Sequence, residues 1–251
     1  MKQRQIIFLC GLPRAGNTLL GSIINENKKI KAAPNSIILE ILYQLNELKD
    51  FPAFKSFPDS KSLNNVSKMV FDNYYKEWKA EVVLDRGPWG TPYNLQVLKQ
   101  FIPKPKFVVL LRPLIECLAS FAKLKIENGS NTKEDIREYI DRLMDEEGIM
   151  GKNILSIKNL LKEKENYKIF YYDDLVKDTD NFLKKLSSFI GFKINNYNRL
   201  KQFNVNNIYY QDWDIKNLHR IQVKKIKRQT YAINDYLPQD IIEKYSGYKV
   251  I

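Results

Sequence analysis

The 251-residue chain has one histidine, His219, and two cysteines, Cys10 and Cys117. A single imidazole cannot build a histidine metal cluster, and two cysteines so far apart lack zinc-site spacing, so no metal is expected. Each cysteine sits in an apolar stretch, as a small core residue does rather than half of a disulfide. No apolar run approaches the ~20 residues of a membrane span. Met1 to Gln5 leads straight into an apolar segment, with no room for a signal peptide. A soluble cytoplasmic protein is therefore expected. There is no internal repeat, low-complexity segment or linker, which favours one α/β domain over residues 1–251. Acidic residues are outnumbered 29 to 41, giving a net charge of +12. That excess suits polyanionic partners: a nucleotide, nucleic acid or an acidic surface. Lys216 to Arg228 carries six basic residues and no acid, so the charge gathers late in the chain.

The stretch with the strongest local signal is Ile6 to Leu20. Ile6-Ile7-Phe8-Leu9 reads as a strand buried on both faces. Gly11 and Gly16 frame a turn, and Leu19, Leu20, Ile23 and Ile24 then recur at helical spacing. Strand, glycine-framed loop and helix together point backbone N–H groups at one spot, which suits phosphate or sulfate. An ordinary strand–turn–helix with incidental glycines is the alternative. The nucleotide-hydrolysing pattern G-x-x-x-x-G-K-[ST] is kept at Gly11, Gly16 and Thr18, but Asn17 replaces its lysine. A cation remains inside the loop as Arg14. The missing lysine counts against an ATPase or kinase, which needs it on the β- and γ-phosphates.

Further along, Ile30–Ala33 is a short strand candidate. Pro34-Asn35-Ser36 turns into a helix with Ile37, Ile38, Ile41, Leu42 and Leu45 on its apolar face. Residues 51–60 hold two Phe-Pro pairs and read as a loop, a candidate lid. Residues 62–79 read as a helix. Val82-Val83-Leu84 is a core strand ending in the turn Asp85 to Gly90, followed by a helix over 91–101. Phe107–Leu111 is the strongest buried strand. It runs into Arg112-Pro113, where Pro113 suits the first position of a helix. Thr132 and Asp135 form a capping-box pattern opening a helix through Met144, with Gly148 and Gly151 as candidate interruptions. Tyr167–Tyr172 is another strand, and Leu175–Ile190 a helix closed by Gly191. Strands alternating with helices predict an α/β fold: a P-loop-like parallel sheet with helices on both faces, three layers in all. Ligands of such sheets lie beyond the strand C-terminal ends. Arg14, Arg86 and Arg112 each follow a predicted strand, and three arginines at one edge suit a ligand with several anionic groups.

These residues carry a resemblance to the sulfotransferases that use 3′-phosphoadenosine 5′-phosphosulfate (PAPS). Pro13-Arg14-Ala15-Gly16-Asn17-Thr18-Leu19 resembles the family loop P-R-S-G-T-T-L, which binds the 5′-phosphosulfate. Arg112 at a strand end, with Ser120 eight residues on, resembles the 3′-phosphate motif. Tyr172-Asp173-Asp174-Leu175 resembles the family's Tyr-(Glu/Asp)-x-Leu, whose tyrosine lies near the adenine. The three occur in family order over residues 6 to about 191. The basic tail, with Lys227 and Arg228, resembles the family's C-terminal nucleotide-closing loop. The loop is closer to the tyrosylprotein, glycan-type and bacterial members than to the small-phenol type. In the protein-tyrosine type a strand ending in Asn-Lys-Asp-Pro supplies a catalytic lysine, and here Arg86 of Leu84-Asp85-Arg86-Gly87-Pro88 is the counterpart.

The resemblance implies sulfuryl transfer from PAPS to a hydroxyl or amine acceptor without a metal. Carbohydrate, lipid headgroup, peptide tyrosine and small alcohol all fit as the acceptor. Arg14 and Arg86 would stabilise charge on the sulfuryl oxygens and leaving phosphate. Related enzymes place a general-base Glu after the first helix, and the small-phenol type uses a His elsewhere. Here Ala33-Pro34-Asn35-Ser36 holds no titratable group, and Glu40 is the nearest carboxylate. Glu40, Asp85 and His219 are the candidate bases. Their bland alternatives are an exposed helix residue for Glu40, a salt bridge to Arg86 for Asp85, and a packing role near the nucleotide for His219. Two rival functions stand beside this one. A P-loop kinase would need Mg²⁺ and the missing lysine. A nucleic-acid-binding module would use the basic tail, but arginines clustered at strand ends count against it.

Overall fold

The computed structural model describes residues 4–129, 132–195, 200–212, 215–221 and 225–251. Five strands form one sheet: β1 (Gln5–Leu9), β2 (Ile30–Asn35), β3 (Val82–Arg86), β4 (Lys106–Leu111) and β5 (Asn166–Tyr171). Their order is β2-β3-β1-β4-β5, and each neighbouring pair is parallel. Strands of such a sheet are covered on both faces and so read as continuous apolar runs. Ile7 to Leu9 and Phe107 to Leu110 are all at most 1% exposed. The edge strand β2 tolerates Pro34, where the register shifts between Ala32 and Asn35.

From β1 the chain crosses to β2 and β3 on one side, then places β4 on the other side of β1. This reversal opens a crevice beyond the C-terminal end of β1. Residues leaving β3, β1 and β4 therefore meet there, from strands about 4.8 Å apart.

Among the described residues, twelve α-helices flank the sheet or follow it: α1 (Asn17–Asn25), α2 (Ile38–Glu47), α3 (Pro52–Ser56), α4 (Ser60–Tyr74), α5 (Pro92–Lys99), α6 (Leu114–Glu127), α7 (Lys133–Met144), α8 (Ile149–Lys162), α9 (Tyr172–Lys177), α10 (Thr179–Ile190), α11 (Ile233–Tyr236) and α12 (Gln239–Tyr245). A two-stranded antiparallel hairpin, β6 (Asn204–Val205) and β7 (Ile208–Tyr209), lies in the tail. The apolar residues of α6 repeat so as to bury Leu114, Cys117, Leu118, Phe121 and Ala122. Burying each large apolar side chain stabilises by about 1.5–3 kcal/mol, and Leu118→Ala would cost about 2–5 kcal/mol. Both cysteines are free and buried.

The capping box forms as read: Asp135 N–H bonds Thr132 Oγ1, and Asp135 Oδ2 accepts from Thr132 N–H. Gly148 is the N-cap of α8, whereas Gly151 lies inside that helix. Several boundaries differ from the sequence reading. Residues 51–60 are not a plain loop, because Pro52 occupies the first position of α3, where its missing N–H costs nothing. The next helix begins at Ser60, since Asp59 caps it by accepting from Ser62 N–H at 3.0 Å, and it ends at Tyr74. Pro113 stands just before α6 rather than in its first turn. The helix expected over 175–190 is two helices. Asp178 accepts from Asn181 N–H at 3.0 Å and restarts the chain there as a cap. Among the described residues, no helix is long and apolar enough to cross a membrane.

Candidate active site

The loop after β1 continues the pairing with β4. Cys10 N–H bonds Val108 O at 2.8 Å, and Leu12 N–H bonds Leu110 O at 3.0 Å. The chain then turns sharply, with Ala15 N–H on Leu12 O. Arg14 adopts φ 67° and Gly16 φ 94°. A non-glycine residue held there costs about 1–3 kcal/mol, and such costs concentrate at ligand clamps. Gly16 is required twice over, since a Cβ on it would lie 2.7 Å from the Tyr172 ring. Asn17, where a phosphate-gripping lysine stands in nucleotide hydrolases, braces the loop instead: its Nδ2 donates to Leu12 O at 2.7 Å.

Arg14 reaches from this loop to α6, where its Nε donates to Ser120 Oγ at 3.0 Å. Its Nη1 donates to the backbone carbonyl of Leu218 in the tail. Burial pulls the Arg14 pKa down, and nearby Arg86 and Arg112 pull the same way. Among the described residues, no carboxylate forms an ion pair with Arg14 or Arg86. A desolvated guanidinium cluster of this kind is stabilised by an anion.

Arg86 ends β3, and the following turn is pinned. Trp89 is buried against Phe8, ring centroids 4.9 Å apart. Gly90 N–H bonds Ser156 Oγ at 2.8 Å, and Asn159 Nδ2 donates to Gly90 O at 2.9 Å. A Cβ on Gly90 would come within 2.5 Å of the Ser156 carbonyl. Asp85 is not the partner of Arg86. Successive strand residues point to opposite faces, and Asp85 is fully buried on the other side, where it accepts from Ser36 Oγ at 2.8 Å.

Arg112 is 5% exposed and heavily engaged. Its Nε and Nη2 donate to Glu116 Oε2 at 3.0 and 2.8 Å, and Nη2 also donates to Gln229 O at 2.6 Å. The guanidinium lies 4.3 Å from the Tyr172 ring centroid and 5.1 Å from that of Tyr231. Arg228 binds the other oxygen of Glu116 at 2.6 Å and Asp173 at 2.8 Å. Tyr231 donates to Ser120 Oγ at 3.0 Å, and Tyr172 accepts from Gln229 N–H at 3.1 Å.

One cleft gathers most of the predicted residues: Pro13, Arg14, Gly16, Asn17, Thr18, Leu19, Arg86, Arg112, Ser120, Tyr172, His219 and Lys227 all line it. Ala15 is in the core beneath the loop, and Arg228 lies on an adjoining surface. Glu40 is exposed on α2 and does not line the cleft. Residues 51–60, the candidate lid, contribute nothing to the lining. The cover is the tail, through Leu218, His219, Arg220, Ile221, Lys227, Gln229 and Tyr231. Sequence reasoning passed over Asn35, Gln229 and Tyr231 in this lining, and Glu116 beside it. Glu116 alone left a signal, since it stands one helical turn from Arg112. Among the described residues, no group of three or more His, Cys, Asp and Glu side chains could hold a metal ion.

A family model for the sulfotransferase domain matches residues 4–246. The chain belongs to the sulfotransferase family. Its sequence is 20% identical over 209 residues to a Caenorhabditis briggsae protein provisionally named a protein-tyrosine sulfotransferase. That alignment covers 75% of this chain and 66% of the relative, so the chain spans just under two thirds of the curated relative it matches. Among solved structures, the sulfotransferase domain from the curacin biosynthetic pathway superposes with a TM-score of 0.50 at 18% identity, covering 78% of this chain and 76% of that one. The sulfotransferase domain of the Synechococcus PCC 7002 olefin synthase gives a TM-score of 0.49 at 17% identity, with coverages of 78% and 76%. The fold is thus that of a sulfotransferase, and the parallel sheet expected from the sequence is the one observed.

Proposed function

We propose that this sulfotransferase moves a sulfuryl group from PAPS to a hydroxyl or amine acceptor. The observation that carries the reading is the convergence of Arg14, Arg86 and Arg112 at the crevice beyond β1, the first two without a carboxylate partner among the described residues. A donor with a phosphosulfate at one end and a 3′-phosphate at the other would satisfy them. The donor set fits: hydroxyls at Thr18 and Ser120, the N-terminal N–H groups of α1, and cations from Lys227 and Arg228 at the rim.

When bound, PAPS supplies an activated sulfuryl group with a stable bisphosphate leaving group. Arg14 and the first turn of α1 hold the phosphosulfate end. Arg112 and Ser120 hold the 3′-phosphate, and Tyr172 bounds the nucleoside. Arg86 is a fixed cation for charge that builds on the sulfuryl oxygens. It cannot donate a proton in the transfer, because a guanidinium stays charged. Positioning and charge stabilisation then carry most of the rate.

The cleft as folded is about 120 Å³, below the roughly 300 Å³ and more of ligand pockets. The tail accounts for this, since the Leu218 and Gln229 carbonyls occupy donors of Arg14 and Arg112. Anionic oxygens bind guanidinium more strongly than neutral carbonyls do, so the donor displaces the two carbonyls and the tail reseats around it. The name of the Caenorhabditis briggsae relative favours a tyrosine side chain among the possible acceptors.

The test is thermal unfolding with adenosine 3′,5′-bisphosphate against ATP with Mg²⁺. The bisphosphate should raise Tm by mass action and ATP–Mg²⁺ should not. No shift at millimolar bisphosphate in a folded sample overturns the reading.

A further inference from the structure

The cleft is rich in anion donors, yet an attacking hydroxyl must also lose a proton. Of the three carboxylates or imidazoles singled out in the sequence, Glu40 lies outside the lining and Asp85 faces away beneath the sheet. His219 lines the cleft. Asp212 holds it with both oxygens. Oδ1 is 2.8 Å from His219 Nδ1, and Oδ2 accepts from the His219 backbone N–H at 3.4 Å. An ionised carboxylate can only accept, so Nδ1 carries the ring proton and Nε2 keeps the free lone pair. Tyr210 lies flat on the imidazole, centroids 3.8 Å apart and planes 6° apart, which fixes the ring plane. The Tyr210 phenol in turn lies against Arg86. The residue before His219, Leu218, gives its carbonyl to Arg14. The imidazole thus feels both Arg86 and Arg14, which form no ion pair with a carboxylate among the described residues.

We propose that His219 is the base of the transfer and that Asp212 is the residue that positions it; this rests on the sulfotransferase reading above. The acceptor's proton passes to Nε2 while its oxygen forms the bond to sulfur. The bond from sulfur to the bridging phosphate oxygen breaks, and that electron pair leaves with adenosine 3′,5′-bisphosphate. The ring is neutral and ready at pH 7. Burial lowers its pKa below the ordinary 6.5, Arg86 and Arg14 lower it further, and Asp212 opposes them. Among the described residues, Tyr210 stacks on it and Arg220 is its exposed neighbour in sequence.

Because the chain has one histidine, imidazole ¹⁵N spectra report His219 without assignment. They are recorded on the full chain, free and with adenosine 3′,5′-bisphosphate. The expected neutral ring carries its proton on Nδ1 and titrates below 6.5. Asp212→Asn should mix the tautomers and lower the pKa further, since Asp212 raises it. In parallel, donor consumption is followed with 4-nitrophenol, a tyrosyl peptide, or water alone as the acceptor. His219→Ala should slow it by about 10²–10⁴-fold, the range for losing a general base, and added imidazole should restore part of the rate. Asp212→Asn should lower kcat and move the acid limb of its pH profile downward, leaving KM for the donor little changed. A neutral ring protonated on Nε2, or His219→Ala within threefold of the native rate, overturns the proposal. Failure of adenosine 3′,5′-bisphosphate to bind the native chain would instead remove the donor reading, while the tautomer still decides whether the pair exists.

Discussion

Ser36 donates a hydrogen bond to Asp85 at 2.8 Å, tying the residue after β2 to the penultimate residue of β3. Tyr75 adds a bond to the Ser36 hydroxyl at 3.2 Å, and among the described residues Asp85 Oδ2 has no partner at hydrogen-bond geometry. The neighbours of this pair in sequence, Asn35 and Arg86, are register partners in the sheet and both line the cleft. A buried polar pair thus sets the height of two cleft residues. Burial pushes the Asp85 carboxyl up to about 7.

This burial predicts an unusual pH dependence of stability. The unfolded carboxyl titrates near 3.8 and the folded one near 7. Between those values the folded state binds more protons than the unfolded state, so stability falls as pH rises from about 4 to 7 and stays lower above. The contribution is of the order of a few kcal/mol. Asp85→Asn cannot ionise, so its Tm should change less between pH 5 and 8 than that of the native protein. Parallel Tm profiles for the two would refute it.

Arg112→Ala should weaken adenosine 3′,5′-bisphosphate by about 10–100-fold, the scale of one charge-assisted contact to a charged group. Adenosine 5′-phosphate, which lacks the 3′-group, should lose much less. Calorimetry with both nucleotides checks this. Equal losses would mean that Arg112 acts only by holding Glu116, with which it pairs at 2.8 Å.

Much of this site was legible in the sequence because strand ends in a parallel sheet share one edge. The apolar runs located β1, β3 and β4, and the residues just after them, Arg14, Arg86 and Arg112, had to meet. Two things were hidden. Asp85 and Arg86 looked like neighbours in a turn, but both lie in β3, where alternation sends them to opposite faces. The tail has no hydrophobic period to read. Part of its grip on the cleft runs through the backbone carbonyls of Leu218 and Gln229, which every residue type possesses. Asp212 and His219 are seven positions apart, too far for two side chains to pair directly along a helix, so no local spacing predicts their bond.

Those carbonyl contacts predict how the tail responds to nucleotide. Beside these, Arg228 pairs with Glu116 and Asp173, Gln229 N–H bonds Tyr172 and Tyr231 bonds Ser120, so the tail is tied to residues that face the nucleotide and should respond when they change partners. Adenosine 3′,5′-bisphosphate should slow its cleavage by trypsin, which has targets at Lys216, Arg220, Lys225, Lys227 and Arg228. Mass spectrometry of the fragments follows the protection. Unchanged cleavage at saturating nucleotide would show that the tail does not reseat.

Arg86 offers the sharpest separation of chemistry from structure. It is carried by the last residue of β3, and the turn after it is fixed by Trp89 and by the bonds from Gly90 and Asn159. None of these holds the guanidinium, which meets the Tyr210 phenol instead, and Asp85 is bonded elsewhere. Arg86→Ala should therefore cost about 1 kcal/mol, the scale of one hydrogen bond, and lower Tm only slightly. If the guanidinium meets charge on the transferring sulfuryl group, the same change should lower turnover by about two to three orders of magnitude, the scale of losing one transition-state donor. Affinity for adenosine 3′,5′-bisphosphate should fall far less, because stabilisation made only in the transition state shows in turnover. Arg86→Lys should recover part of the rate, since it restores a cation at the same strand end. A second readout comes from His219, whose pKa Arg86 helps to lower. Removing that cation favours the protonated ring, so the imidazole of Arg86→Ala should titrate higher than in the native protein. Turnover per folded molecule that stays near native, with the imidazole unmoved, would place Arg86 outside the chemistry.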